Sequence, residues 1–216
     1  MVSIRAAGAL LLACGLGLLP ASAAPVPLSA AELARQDQAF AAAQGATRSF
    51  RAELRQTLTL EGLDQPVVST GELSYLAPDR LFIRFTQPAG EWMRIEGKQF
   101  TLQKKGQPLQ HRDLAASGNA NAATLLDFFG GDPRRWHRDF DVAMARDGDR
   151  LLVTLVPWRV PTAQRQGVDR IVTTLRLPGY DVEKIEVTIH GANRLEFAFT
   201  HGRRNAPIDP ALFPAP

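Results

Sequence analysis

The chain has 216 residues, of which 45% are hydrophobic, 22% charged and 7% aromatic, and its formal net charge is +3. This length points to one domain, and the balance excludes disorder, collagen and coiled coil. Only Lys98, Lys104, Lys105 and Lys184 of the 25 basic residues are lysine, and 22 acids lie among them, so no basic block large enough to track a nucleic acid forms and no nucleic-acid partner is expected.

The chain opens on an address. Arg5 precedes an apolar stretch from Ala6 to Leu19, then Pro20 and Ala21-Ser22-Ala23, the n-region, h-region and small-residue cleavage site of a signal peptide. The apolar run falls short of the roughly 20 residues that span a bilayer. Residues 1–23 are therefore expected as a signal peptide and residues 24–216 as a single domain. Cleavage removes the lone cysteine, Cys14, which suits an oxidising exported compartment. An alternative sits in the same segment: Leu11-Leu12-Ala13-Cys14-Gly15 resembles a lipobox, in which Cys14 would carry a lipid anchor.

Ser29-Ala30-Ala31-Glu32 has the capping-box pattern, and Ala30 to Gln44 is rich in helix formers, with Gly45 as the expected stop. After Gly45 the period changes from 3.6 to 2. Phe50, Ala52, Leu54, Leu58 and Leu60 alternate with polar residues, and the same pattern returns at Leu73 and Tyr75, at Leu81, Ile83 and Phe85, and at Leu151, Val153 and Leu155. It continues at Ile171, Thr173 and Leu175, at Ile185, Val187 and Ile189, and at Leu195, Phe197 and Phe199. These read as antiparallel strands with one apolar and one wet face. Tight turns are expected at Ala77-Pro78-Asp79, Glu96-Gly97-Lys98, Asp147-Gly148-Asp149 and Gly191-Ala192-Asn193. Asn119 to Gly131 interrupts the strands as a short helical piece carrying Leu125, Leu126, Phe128 and Phe129, and Asp132 with Pro133 opens another. The expected fold is mainly β, a strongly curved antiparallel sheet covered by short helices.

Chemistry is sparse. His111, His137, His190 and His201 make no H-x-x-x-H pair, and no cysteine survives cleavage, so neither a metal site nor a cofactor is expected. No G-x-S-x-G, S-x-x-K, Walker or G-x-G-x-x-G pattern occurs. Asp139, Asp141, Asp147 and Asp149 fall around a hairpin without calcium-loop spacing. The chain reads as no enzyme. The apolar stripe on the sheet either fills a core or lines a cavity suited to an acyl chain, in which each CH₂ leaving water is worth about 0.8 kcal/mol.

Several motifs in order resemble the LolA family, periplasmic carriers of outer-membrane lipoproteins. Ser49-Phe50-Arg51-Ala52-Glu53-Leu54-Arg55-Gln56 resembles that family's opening strand. Gly71-Glu72-Leu73 with Pro78, Arg80 to Phe85, Thr86-Gln87-Pro88, Glu96-Gly97-Lys98, Leu125-Leu126, Leu155-Val156-Pro157 and Ile208 to Phe213 continue the match. The resemblance implies an incomplete, strongly curved antiparallel β-barrel with an α-helical lid over an apolar cavity. It implies a cavity lined by Phe50, Leu54, Leu58, Leu73, Tyr75, Leu81, Ile83, Phe85, Met93, Leu155 and Phe197, and a lid carrying Leu125, Phe128 and Phe129. It also implies a monomeric carrier that takes lipoprotein acyl chains, or another lipid, from an inner-membrane release complex to an outer-membrane acceptor. The arginine that closes the lid in the family, just before the hairpin proline, is Ala77 here, and Arg80 is the candidate substitute. The chain also ends soon after Phe213. These departures keep two alternatives open: a carrier of a non-lipoprotein lipid conjugate, and a LolB-like acceptor anchored at Cys14.

Overall fold

The computed structural model describes residues 24–113, 126, 128–130, 133–158 and 168–213. The expected signal peptide, Cys14, Leu125 and Asp132 lie outside them. Strand β1 (Val26–Pro27) and helix α1 (Ala30–Gly45) lead into β2 (Ser49–Thr59), β3 (Val67–Leu76), β4 (Arg80–Gln87), β5 (Trp92–Glu96), β6 (Gln99–Gln103) and β7 (Gln110–Asp113). Helical residues 126 and 128–130 and helix α2 (Pro133–Asp139) precede β8 (Phe140–Asp147), β9 (Arg150–Pro157), β10 (Val168–Arg176), β11 (Asp181–Ile189) and β12 (Arg194–Arg204). A 3₁₀ turn, Pro210–Leu212, follows.

All 12 strands form one antiparallel sheet in the order β1-β8-β9-β10-β11-β12-β2-β3-β4-β5-β6-β7. The short strands β1 and β7 stand at its two edges, so the barrel is left open. The expected turns join β3 to β4, β5 to β6, β8 to β9 and β11 to β12. Gly97 and Gly148, both at φ 58°, supply the left-handed residue that two of them need. The Ala77–Pro78 peptide in the β3–β4 turn is cis.

The period-2 reading located β2, β3, β4 and β9 to β12. It did not delimit β1, β5, β6, β7 or β8, for a physical reason: β1 has two residues, β7 (QHRD) has no apolar residue, β5 and β6 are only five residues long, and β8 sets Ala143 and Ala145 on the face opposite Val142 and Met144, which blurs its alternation. Their pairing is fixed by neighbouring strands, not by their own pattern.

Helix α1 begins on the expected box. The Ser29 amide donates to Glu32 Oε2 at 2.9 Å, and the Glu32 amide donates to Ser29 Oγ at 3.4 Å. The Ser29 hydroxyl also donates to Glu32 Oε2, at 2.6 Å, and this bond, with the one from the Ser29 amide, holds the Glu32 carboxyl below its ordinary value. Its other end differs from expectation, because Gly45 is the last helical residue and Ala46 caps it with right-handed angles (φ −84°, ψ −9°). Side chains replace the glycine stop: Thr47 Oγ1 and Arg204 Nη1 both donate to the Ala43 carbonyl, at 2.9 and 3.1 Å. Arg204 also donates to Thr47 Oγ1 and to Asp181, and the Tyr180 hydroxyl donates to Gln36 at 2.7 Å, so α1 is pinned to β11 and β12.

Candidate functional site: the concave face, its lid and an adjoining crevice

Register aligns the inward residues into rows across the sheet. Phe50, Tyr75, Leu81, Ile95 and Phe100 form one row, Ala52, Leu73, Ile83, Met93 and Leu102 the next, and Val142, Leu155, Ile171, Val187, Leu195 and Leu58 a third. Period-2 strands require this, since every second side chain lands on the same face. Phe50, Leu54, Leu73, Tyr75, Leu81, Ile83, Phe85, Leu155 and Phe197 are buried there, whereas Leu58 and Met93 are partly exposed. Two polar groups share the face: Gln56 lies opposite Phe197, and the buried Thr173 hydroxyl has no partner among the described residues.

The concave face is covered by the protein's own aromatic rings. Phe129 packs against Phe50 at 5.2 Å between centroids, Tyr75 at 6.0 Å and Phe199 at 5.4 Å. Phe128 and Phe40 each lie 4.9 Å from Trp136, and Tyr180 closes the group at 6.1 Å from Phe40. Phe128 is fully buried and Leu126 partly so. Phe40 and Trp136 are therefore as much a part of this cover as Phe128 and Phe129. Strand alternation points to neither residue: Phe40 lies on α1, and Trp136 stands in the arginine-rich run Arg134 to Arg138, where a lone aromatic has no periodic signal.

Polar contacts hold the cover at two places. His137 Nε2 is 2.7 Å from Asp37 Oδ2, joining α2 to α1, while Asp37 Oδ1 and Trp136 Nε1 are buried without a hydrogen-bond partner among the described residues. At the other place Gly130 sits directly on the β3–β4 turn. The Tyr75 hydroxyl donates to the Pro78 carbonyl at 3.0 Å, and a Cβ on Gly130 would lie 2.1 Å from that hydroxyl and 2.8 Å from that carbonyl. Burial, reinforced by the charge of Asp79, pushes the Tyr75 phenol up to about 12. Arg80 does not reach this seat in the contacts it makes: its guanidinium stacks 5.6 Å over the buried ring of Phe213, tying the C-terminal turn to β4.

A crevice of about 550 Å³ lies just outside the seat, between α1, the β3–β4 turn and the start of α2. Its walls are Ala41, Gln44, Tyr75, Ala77, Pro78, Gly130 and Pro133, with Asp37, Gln38, Thr47 and Arg134 also lining it. Nothing in the apolar periodicity marks this crevice, because its walls come from turns and from the polar side of a helix. Among the described residues no group of three or more His, Cys, Asp or Glu side chains could hold a metal ion.

No protein-family profile matches the chain, and no curated protein matches it by sequence. Solved structures do share its architecture. A DUF1329 family protein from Desulfovibrio piger is 7% identical, with 83% of this chain aligned to 96% of that one at a TM-score of 0.50. The MucA/MucB complex of Pseudomonas aeruginosa gives 12% identity and a TM-score of 0.50, with 85% of this chain covering 61% of that one. A LolA superfamily protein from Nitrosomonas europaea gives 7% identity, 83% and 97% coverage and a TM-score of 0.43. At such identities the likeness concerns the fold alone. The open, curved antiparallel sheet with helices on its concave side is the architecture that the sequence resemblance implies, and the chain shares it with the DUF1329 and MucB structures.

Proposed function

We propose that this chain is a periplasmic carrier, a binding protein and not an enzyme, that holds the acyl chains of lipoproteins or of a related lipid against the concave face and moves them from inner to outer membrane. The observation that supports the reading is the nature of the cover. The sheet's apolar rows are closed by Phe128, Phe129 and Trp136, which belong to short helices with no ladder bond to the sheet. Acyl chains can replace these rings like for like.

The magnitudes are compatible. Withdrawing three large buried rings forfeits roughly 1.5–3 kcal/mol each, and burying a methylene returns about 0.8 kcal/mol, so a chain of about 6–11 methylenes offsets the opened lid. A palmitoyl-length chain exceeds that, and a short-chain acid does not. Among the described residues no helix is long and apolar enough to cross a membrane, and the amino-terminal signal pattern supports export. The partners on this reading are an inner-membrane release complex and an outer-membrane acceptor. Anchoring at Cys14 would make the protein an acceptor instead, and the intact mass of the amino terminus separates the two: a free Ala24 or an acylated Cys14.

The test is detergent-free purification from the periplasm followed by organic extraction and mass spectrometry. The reading expects a stoichiometric acylated molecule. Protein that is lipid-free and also takes up no long-chain acyl ligand when offered one overturns it.

A further inference from the structure

We infer that Thr173 is a specificity point on the concave face and that it selects an acyl chain bearing a neutral hydroxyl partway along its length. The inference rests on the carrier reading and narrows it from acyl chains in general to hydroxylated ones.

Thr173 stands near the middle of β10, and register sets it opposite Val153 of β9 and Ile185 of β11. Both neighbours are inward residues at 0% exposure, so Thr173 faces inward with them. Along its own strand the inward places on either side are Ile171 and Leu175, which are buried as well. The residue therefore sets one hydroxyl among four apolar side chains. It is itself 0% exposed, and its Oγ1 has no hydrogen-bond partner among the described residues. Buried polar groups are almost always bonded, and one left unmatched destabilises the fold that carries it. Valine has the same shape without the oxygen and would fill this place without that cost. A ligand group that completes the hydroxyl accounts for the threonine.

The surroundings define that group. The place is closed to solvent and its inward neighbours are aliphatic, so the cost of burying a charge excludes an ionised headgroup. Ile171 and Leu175 separate it from both ends of the strand, so the group belongs partway along a chain and not at its head. A hydroxyl both donates and accepts, and a second hydroxyl can complete it in either sense. Gln56, further along the same row beyond Ile185 and Phe197, is partly exposed and is open to water, so it makes no such demand.

Palmitic acid and a series of hydroxypalmitic acids, alike in length and differing only in where the hydroxyl stands, test this. Each is titrated into the full exported protein by displacement of a fluorescent fatty acid. A mid-chain isomer is expected to bind about three- to tenfold tighter than isomers with the hydroxyl beside the carboxyl or at the last carbon, the effect of one hydrogen bond of ordinary net strength. Thr173→Val is expected to level the isomers while palmitate binding holds, and Thr173→Ala carries the comparison if the valine variant fails to fold. Thr173→Ser keeps the hydroxyl and should keep the preference. Equal affinities in the unmodified protein, a preference for either end of the chain, or a mid-chain preference that survives loss of the hydroxyl overturns the specificity point. Palmitate binding in those cases leaves the carrier reading standing. Failure of palmitate and of every isomer to bind overturns the two together.

Discussion

Gly130→Ala opens the lid by one methyl group. The new Cβ would lie 2.1 Å from the Tyr75 hydroxyl, 2.8 Å from the Pro78 carbonyl and 3.0 Å from Tyr75 Cζ, whereas relaxed contacts fall at about 3.5–4.0 Å. Tyr75 cannot swing aside, since its ring is buried at 1% exposure and its hydroxyl is bonded to that same carbonyl. The lid segment must therefore lift by about 1 Å or more. Overpacking of this kind costs about 1–3 kcal/mol, all of it charged against the closed form, which shifts the closed-to-open ratio by about 5- to 150-fold. A ligand that binds only the open form gains apparent affinity by up to the same factor. The assay is titration of a pyrene-labelled long-chain fatty acid, read beside the urea midpoint. Tighter probe binding with a modest loss of stability is expected. Tyr75→Phe removes the atom at 2.1 Å, so the double variant should recover part of the closed behaviour. An alanine variant with unchanged probe affinity and unchanged midpoint would refute the seat.

Phe128→Asp places a carboxylate in a fully buried position against Trp136; retention of a preloaded acyl probe should fall steeply, and normal retention in a transfer assay would count against the lid. Gly71→Ala tests the sheet instead, because its Cβ would come 2.3 Å from the Arg84 carbonyl, a backbone atom with no room to move. A loss of about 1–3 kcal/mol and a melting point several degrees lower are expected, and calorimetry showing no change would sink the argument. The Tyr75 phenol, ordinarily near 10 and raised here to about 12, adds stability that is fully present below pH 10. That stability is lost as pH rises from about 10 to 12, since the unfolded chain ionises first. Tyr75→Phe should flatten that loss in urea titrations, and an unchanged slope would show that the phenol is not buried in solution.

Much of the fold is legible in the chain because alternation is a direct consequence of a half-buried strand. Phe50 to Leu58 and Leu195 to Phe199 announce both their strands and their inward faces, and Ser29 with Glu32 announces a helix start. The end of that helix was not legible: Gly45 looks like a stop, but the carbonyls it would have served are taken by Thr47 and by Arg204, more than 150 residues away in sequence. The site divides the same way. Inward residues of the sheet follow from parity, whereas Phe40 and Trp136 are brought together by tertiary packing that leaves no local period. Ala77 in place of the family's arginine suggested a compensating Arg80, but the close contact at the lid is made by the absence of a side chain at Gly130.

The central claim is that acyl chains occupy the concave face once the lid gives way. A palmitoylated ligand with a diazirine near the chain end, photolysed in the complex and mapped by peptide mass spectrometry, tests it most directly. The account predicts labels on inward residues, above all Leu58, Leu73, Ile83, Met93 and Phe197. Labels confined to exposed apolar positions such as Leu63, Val67 and Trp158, at the same yield with or without Gly130→Ala, would contradict it.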